Sequence, residues 1–270
     1  MDYYVVDVFT DKLFKGNPAG VCILDKWIDK ETLQNIAFEN NLSETAFLVK
    51  QDNPPDGGYY DLRWFTPELE VDLCGHATIA SAFVLFNFYE PNIQEIKFKT
   101  MTGMMKVTKK DDMLYLDFPS WKAEKTIDYK TLNDAFACKN KGVYKAADFL
   151  VVFENEAQIR NIKPDFSVLR KFKEEAKIDN DCFGIIITAK GSGCDFVSRY
   201  FAPNAGINED PVTGRAHCTL IPYWAQQLGK NKMKALQLSD RTGKIDCEYL
   251  GERVLIGAKA VLYLKGNISL

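Results

Sequence analysis

The chain has 270 residues, long enough for one large domain or two of ordinary size with a real hydrophobic core. Its content of 46% hydrophobic and 26% charged residues is that of a soluble globular protein and excludes fibrous, mucin-like and membrane-embedded classes. A formal net charge of -3, with no long block of Lys or Arg, leaves no electrostatic footprint for nucleic acid or an anionic membrane. The start, Met1-Asp2-Tyr3-Tyr4-Val5-Val6-Asp7, carries acids and lacks the basic region and long apolar stretch of a signal peptide, so the cytosol is the expected location.

In chain order, residues 3–9 read as a strand, Gly16-Asn17-Pro18-Ala19-Gly20 as a turn rich in breakers, and residues 21–24 as a second strand, giving a hairpin-like opening. Leu33, Ile36 and Ala37, behind an N-cap at Asp29, predict an amphipathic helix over 29–41, ending at the Asn40-Asn41 pair. A strand resumes over 45–49. Glu44 therefore falls at a helix-to-strand junction, where a rigid scaffold can present a side chain. Further strands are expected over 59–65, 113–118, 149–153, 183–189, 194–201, 253–256 and 260–264, with apolar helices over 77–88 and 215–228. Strands irregularly interspersed with few helices favour α+β over βαβ winding.

Arg63-Trp64-Phe65-Thr66-Pro67 is echoed by Arg199-Tyr200-Phe201-Ala202-Pro203. Each echo ends a predicted strand, passes through an acidic loop, reaches a glycine-containing turn (Cys74-Gly75-His76, then Pro211-Val212-Thr213-Gly214) and enters an apolar helix. Five features in matched order predict an internal duplication. The more polar stretch over 119–145 predicts a boundary, giving an N-terminal half, 1–118, and a C-terminal half, 119–270.

Seven cysteines, at 22, 74, 138, 182, 194, 218 and 247, are odd in number and contain no C-x-x-C pair, so they read as reduced thiols rather than as disulfides or a zinc site. His76 and His217, the only two histidines, stand in no spaced ligand cluster, and no metal is expected. Helices that begin at the Gly75 and Gly214 turns offer unpaired N–H groups and positive dipole ends, which suit a carboxylate and the charge that builds on it as its α-proton leaves. The base for such a proton transfer is expected at Glu44, partly desolvated beside Ala46 and Phe47.

Four segments carry a family resemblance: Gly16-Asn17-Pro18-Ala19-Gly20-Val21, Leu42-Ser43-Glu44-Thr45-Ala46-Phe47, Leu73-Cys74-Gly75-His76-Ala77-Thr78, and Gly206-Ile207-Asn208-Glu209-Asp210-Pro211-Val212-Thr213-Gly214. In this order, spanning almost the whole chain, they resemble the PhzF family of phenazine-biosynthesis-like isomerases. The resemblance implies a diaminopimelate-epimerase-like fold of class α+β: two pseudo-symmetric domains, each a curled β-sheet around a central helix, with the active site in the cleft between them. It implies a catalytic glutamate at Glu44, a glycine-histidine pair at Gly75 and His76, and a motif aspartate at Asp210. The family's best-known reaction is a cofactor-independent proton shift in a dihydro-hydroxyanthranilate, and its members are commonly homodimers. Asn17, Gly75, Thr213, Gly214 and Arg215 are expected around a small carboxylate-bearing substrate, with no cofactor.

Three positions stay open. The family usually has serine where this chain has Arg215, which either contacts a substrate carboxylate or points to solvent. Asp210 either exchanges a proton or caps the following helix. Cys74 resembles the first of two thiols used by racemases of the same fold, but Pro211 stands where the second belongs; it is either a buried small residue or a single-thiol proton partner. A thiol hydrolase built on Cys74 and His76 is disfavoured, because side chains at i and i+2 do not readily point together at a turn and no third orienting group is evident. A carboxylate-binding protein without turnover is the non-enzyme alternative, and the ionisable Glu44 argues against it.

Overall fold

The computed structural model describes residues 1–51, 58–178 and 184–270; Cys182 and the first residue of the strand expected over 183–189 lie outside them. The chain packs as two compact units, Met1–Phe118 with Leu255–Leu270, and Pro119–Val254. The second expected half, 119–270, is therefore corrected at its C-terminal end. The last strand leaves it to pair with the first strand of the chain, from Asp2↔Asn267 to Val8↔Ala260.

The first unit runs β1 (Asp2–Val8), β2 (Asn17–Leu24), α1 (Lys30–Asn40), β3 (Glu44–Lys50), β4 (Tyr59–Phe65), β5 (Glu70–Val71), α2 (Gly75–Phe88), β6 (Glu95–Thr100), β7 (Gly103–Lys110) and β8 (Met113–Pro119). The second runs β9 (Glu124–Lys125), α3 (Lys130–Phe136), β10 (Gly142–Lys145), β11 (Phe149–Val152), α4 (Glu156–Asn161), α5 (Phe166–Glu175), β12 (Ile185–Lys190), β13 (Phe196–Ala202), β14 (Ile207–Asp210), α6 (Gly214–Leu228), β15 (Lys232–Gln237) and β16 (Gly243–Tyr249). β17 (Arg253–Ala258) and β18 (Ala260–Asn267) complete the chain. No helix among the described residues is long and apolar enough to cross a membrane. The described cysteines are free thiols.

The duplication is explicit in the strand pairings. In the first unit β1–β2 is antiparallel, β2–β3 parallel, β3–β4 and β4–β5 antiparallel, β4–β6 parallel and β6–β7 antiparallel. In the second, β10–β11, β11–β12, β12–β13, β13–β14, β13–β15 and β15–β16 repeat that succession in the same order. The echoed arginines make the same clamp in both. Arg63 donates to both oxygens of Glu70 at 2.7 and 3.0 Å, and Arg199 to both oxygens of Glu209 at 2.7 and 2.8 Å. Each guanidinium also lies over the phenylalanine two residues on, 5.2 Å from the Phe65 ring and 5.1 Å from the Phe201 ring. Bidentate pairs fix geometry as well as adding energy. Each clamp thus locks the hairpin that leads the chain into α2 or α6.

α2 is apolar nearly all round, and α6 exposes only Gln226 and Gln227 near its end. Eleven of the fourteen residues of α2 are buried, and α2 packs on β1, β2 and β3; α6 is buried along most of its length against β15 and β16. A helix with no polar face has nowhere stable to go but a core. β3 is covered on its other side by α1, whose Leu33, Ile36 and Ala37 meet Phe47, Val49 and Phe65. Burial on both faces explains why residues 46–49 form a continuous apolar run instead of an alternating one.

The expected turn over 16–20 is shorter than its composition suggested. Only Gly16, at φ +65° and with a would-be Cβ 1.9 Å from the Val8 carbonyl oxygen, is a turn residue; Asn17 already pairs with Val8 in β2. Pro18 is tolerated there because the parallel partner β3 joins the register one residue later, at Ala19↔Glu44, so its missing N–H breaks no bond on that side.

Candidate active site

α1 stops where the chain turns at Asn41, whose left-handed conformation (φ 49°) closes the helix with an N–H to Ala37 O. Three residues later Glu44 opens β3. Cys74 takes an extended conformation (φ -143°, ψ 113°) as the N-cap of α2, so its thiol and the second helical residue, His76, are turned toward each other. Glu44 Oε2 lies 3.2 Å from His76 Nε2, and Cys74 Sγ lies 3.5 Å from His76 Nδ1. Asn17, expected at the substrate, is fully buried, with its amide nitrogen 3.4 Å from the same Nδ1. The two reasons for setting a Cys74–His76 pair aside are both overturned. The N-cap geometry brings i and i+2 together, and Glu44 is a third group on the far ring nitrogen.

The imidazole is buried, and burial, the largest single influence, works against its charged form; the charges and hydrogen bonds of Cys74 and Glu44 together outweigh it and hold His76 well above the ordinary histidine range. Burial pushes the Cys74 thiol up. Glu44 is the most accessible of the three, its side chain 15% exposed against 6% for His76. One donor atom from each of Glu44, Cys74 and His76 lies within 4.8 Å of the others, a carboxylate, thiol and imidazole set that the linear spacing of the sequence did not reveal.

Neither central helix has a side-chain cap. The N-caps are Cys74 and Thr213, and neither makes a side-chain cap bond, whereas Asp29, Asn155 and Asp165 cap α1, α4 and α5. Of the two readings left open for Asp210, the cap position belongs to Thr213, three residues on. At both central helices the positive dipole end lies at the glycine-bearing start, Gly75 and Gly214, where it favours an anion.

Superimposing the strand registers matches Thr45, paired with Phe65, to Ile185, paired with Phe201. Glu44 then corresponds to Gly184, and the helix starts match Cys74 to Thr213, Gly75 to Gly214 and His76 to Arg215. The second unit has no room for a glutamate, since a Cβ on Gly184 would lie 2.1 Å from the Tyr200 ring. Arg215 is instead engaged within its own unit. Its Nε and Nη2 approach the fully buried Asp148 carboxylate at 3.3 and 3.5 Å, and its guanidinium lies 5.6 Å from the Trp121 ring. Duplication has left one carboxylate–imidazole pair and one carboxylate–guanidinium pair, and arginine does not exchange protons.

Sequence reasoning missed Asp148 and Gln237. Gln237 is fully buried; it accepts from Thr213 N–H at 2.9 Å and donates to the Asp210 carbonyl at 3.0 Å and to Thr213 Oγ1 at 3.1 Å. Thr213 in turn donates its hydroxyl to the Asp210 carboxylate. The signal was present, because Gln237 is a polar residue on the buried phase of β15, shared with Met233 and Ala235. Gln237→Leu strands the Thr213 N–H and the Asp210 carbonyl and is expected to lower stability by about 1–3 kcal/mol, measurable by thermal denaturation.

His217 is a structural histidine. It is buried inside α6 with Nδ1 2.8 Å from Thr213 O, and burial pushes its pKa down to about 4. The unfolded chain takes up this proton near pH 6.5 while the native chain refuses it until about pH 4, so stability is full above pH 6.5 and is lost as pH falls through that window. The loss is of order 3 kcal/mol at about 1.4 kcal/mol per unit. Urea unfolding between pH 7.5 and 4.5 should fall less steeply for His217→Gln than for wild type; equal slopes would remove the assignment.

The fold is the diaminopimelate-epimerase-like α+β fold, a class that includes epimerases and isomerases. A hydroxyproline epimerase from Agrobacterium vitis has the same fold at 10% identity, with a TM-score of 0.63 over 98% of this chain and 91% of that one. Residues 6–266 match the family described as phenazine biosynthesis-like protein, PhzC-PhzF, and the chain belongs to that family. It is 46% identical to the uncharacterized isomerase PA2770 of Pseudomonas aeruginosa over 99% of this chain and 98% of that one. The crystal structure of a PhzF-family phenazine biosynthesis protein from Enterococcus faecalis superimposes with a TM-score of 0.92 at 46% identity, covering 100% of this chain and 99% of that one.

Proposed function

We propose that this protein is an isomerase that shifts a proton within a small carboxylate-bearing substrate, with Glu44 as the acid/base and neither metal nor cofactor in the reaction. The observation that carries the reading is the 3.2 Å contact between Glu44 and the buried His76 at the uncapped start of α2. In this reading the helix N-terminus holds the substrate carboxylate. Glu44 takes a proton from carbon, the electron pair spreads into the conjugated acid, and the same carboxyl returns the proton to another carbon. His76 Nε2–H orients Glu44 by hydrogen bonding, and Asp210, held by the Thr213 hydroxyl, serves the second unit's helix end as a further proton-exchanging group. The name isomerase borne by the Pseudomonas relative supports the class.

A second reading, a single-thiol racemase or epimerase, is favoured by the 3.5 Å approach of Cys74 to His76. A thiol nucleophile of the hydrolase type is not, because burial opposes the thiolate it would need. The test is solvent-deuterium incorporation followed by NMR over a dihydro-hydroxyanthranilate, amino acids and diacids. Deuterium at a new carbon supports the proton shift; deuterium at an inverted α-carbon that vanishes in Cys74→Ala supports the racemase. No incorporation into any compound that binds would leave a carboxylate-binding protein.

A further inference from the structure

We propose that Glu44, Cys74 and His76 form a binding site for one thiophilic divalent cation of the zinc type, which silences the site rather than serving it. The three donors are a carboxylate oxygen, a sulfur and a ring nitrogen, all in the first unit and all within 4.8 Å of one another. Zinc bonds of about 2.0–2.3 Å in tetrahedral array place donors roughly 3.3–3.7 Å apart. The sulfur lies 3.5 Å from Nδ1 and the carboxylate oxygen 3.2 Å from Nε2, so each contact has this spacing on its own nitrogen and a single ion keeps one of them and gives up the other. Glu44 Oε2 and His76 Nε2 are moreover buried atoms with no hydrogen-bond partner beyond their own contact, so a cation placed there displaces little. His76 faces Cys74 through Nδ1 and Glu44 through Nε2. The ion takes one of these nitrogens, and the Glu44 carboxylate, the most accessible of the three groups, moves to close the third side.

Binding forms a sulfur–metal and a nitrogen–metal bond and releases to solvent the thiol proton and the proton on the ring nitrogen that takes the metal; nothing is oxidised or reduced. Three protein ligands leave a fourth position for water. Loss of activity on binding rests on Glu44 being the base, but binding itself does not.

The test is titration of the chelator-stripped full-length protein with Co²⁺ and then Zn²⁺ against a competing chromophoric chelator, reading the cobalt–thiolate charge-transfer band. One ion per chain is expected. Cys74→Ser should abolish the band and weaken binding by about a hundredfold or more, and Glu44→Gln, at the accessible edge, should weaken it by at least about tenfold, while Cys194→Ser changes neither. Absence of stoichiometric binding, a band that survives Cys74→Ser, or unchanged affinity in Glu44→Gln overturns the site. Where binding holds, zinc should block solvent-deuterium exchange and chelator should restore it; exchange that continues with zinc bound sinks the assignment of Glu44 as base and leaves the metal site standing.

Discussion

Glu44→Gln is expected to lower solvent-proton exchange by about 10²–10⁴-fold, the usual weight of a positioned general acid/base, with little change in stability. The amide retains an oxygen for His76 Nε2–H and fills the same largely buried volume as the carboxylate. The substitution therefore separates chemistry from folding. His76→Asn should cost less in turnover, because it removes an orienting donor and not the group that meets the substrate; it should cost more in stability, because Cys74, Asn17 and Glu44 all converge on that ring. Paired measurements of exchange rate and urea midpoint check both statements, and a Glu44→Gln variant with wild-type exchange would place the base elsewhere.

Arg199→Met is expected to destabilise by about 3–5 kcal/mol, the cost of breaking a buried pair from one side. The guanidinium is 11% exposed, holds both oxygens of Glu209, and also donates to the Ile159 and Ile162 carbonyls at 3.1 and 2.6 Å. Its counterpart Arg63 makes the same bidentate clamp but is 26% exposed, and Glu70 keeps a second cation, Lys30 Nζ at 2.9 Å. Arg63→Met should then cost less, about 1–3 kcal/mol, because Lys30 still pairs a Glu70 side chain that is only 8% exposed. The two variants share one sequence motif and one geometry, so a difference in urea midpoint at constant slope isolates burial and the number of stranded partners as the cause. Equal losses would show that the clamp geometry alone sets the energy.

The duplication was legible before any coordinates, because the arginine of each repeat must sit at one strand end for its clamp to form and the phenylalanine two residues on shares its face. α1 was equally legible from its N-cap, its apolar spacing and the asparagine pair that ends it. Composition misled over residues 16–20, where glycine and proline mark a turn only if no neighbouring strand supplies pairing, and β1 supplies it from Asn17 onward. The C-terminal boundary failed for a related reason. Strand pairing between β1 and β18 joins residues some 260 apart in sequence, and no local pattern records such a partner.

The sequence by itself determined the α+β class, the internal repeat and the two glycine-bearing helix starts, since each depends on side-chain type and short spacing, and the resemblance of its motifs to a known family marked Glu44, His76 and Asp210 as the residues to examine. Only the tertiary structure decided what those residues touch: that His76 bridges Cys74 and Glu44, that Arg215 is held by Asp148, that Gln237 anchors the Thr213 turn, and that Tyr200 excludes a second glutamate at Gly184. The physical reason is distance along the chain. Hydrogen bonds and steric exclusion act over a few ångströms in space, and the strand registers that bring residues 16 to 67 positions apart within that range are set by the packing of whole sheets.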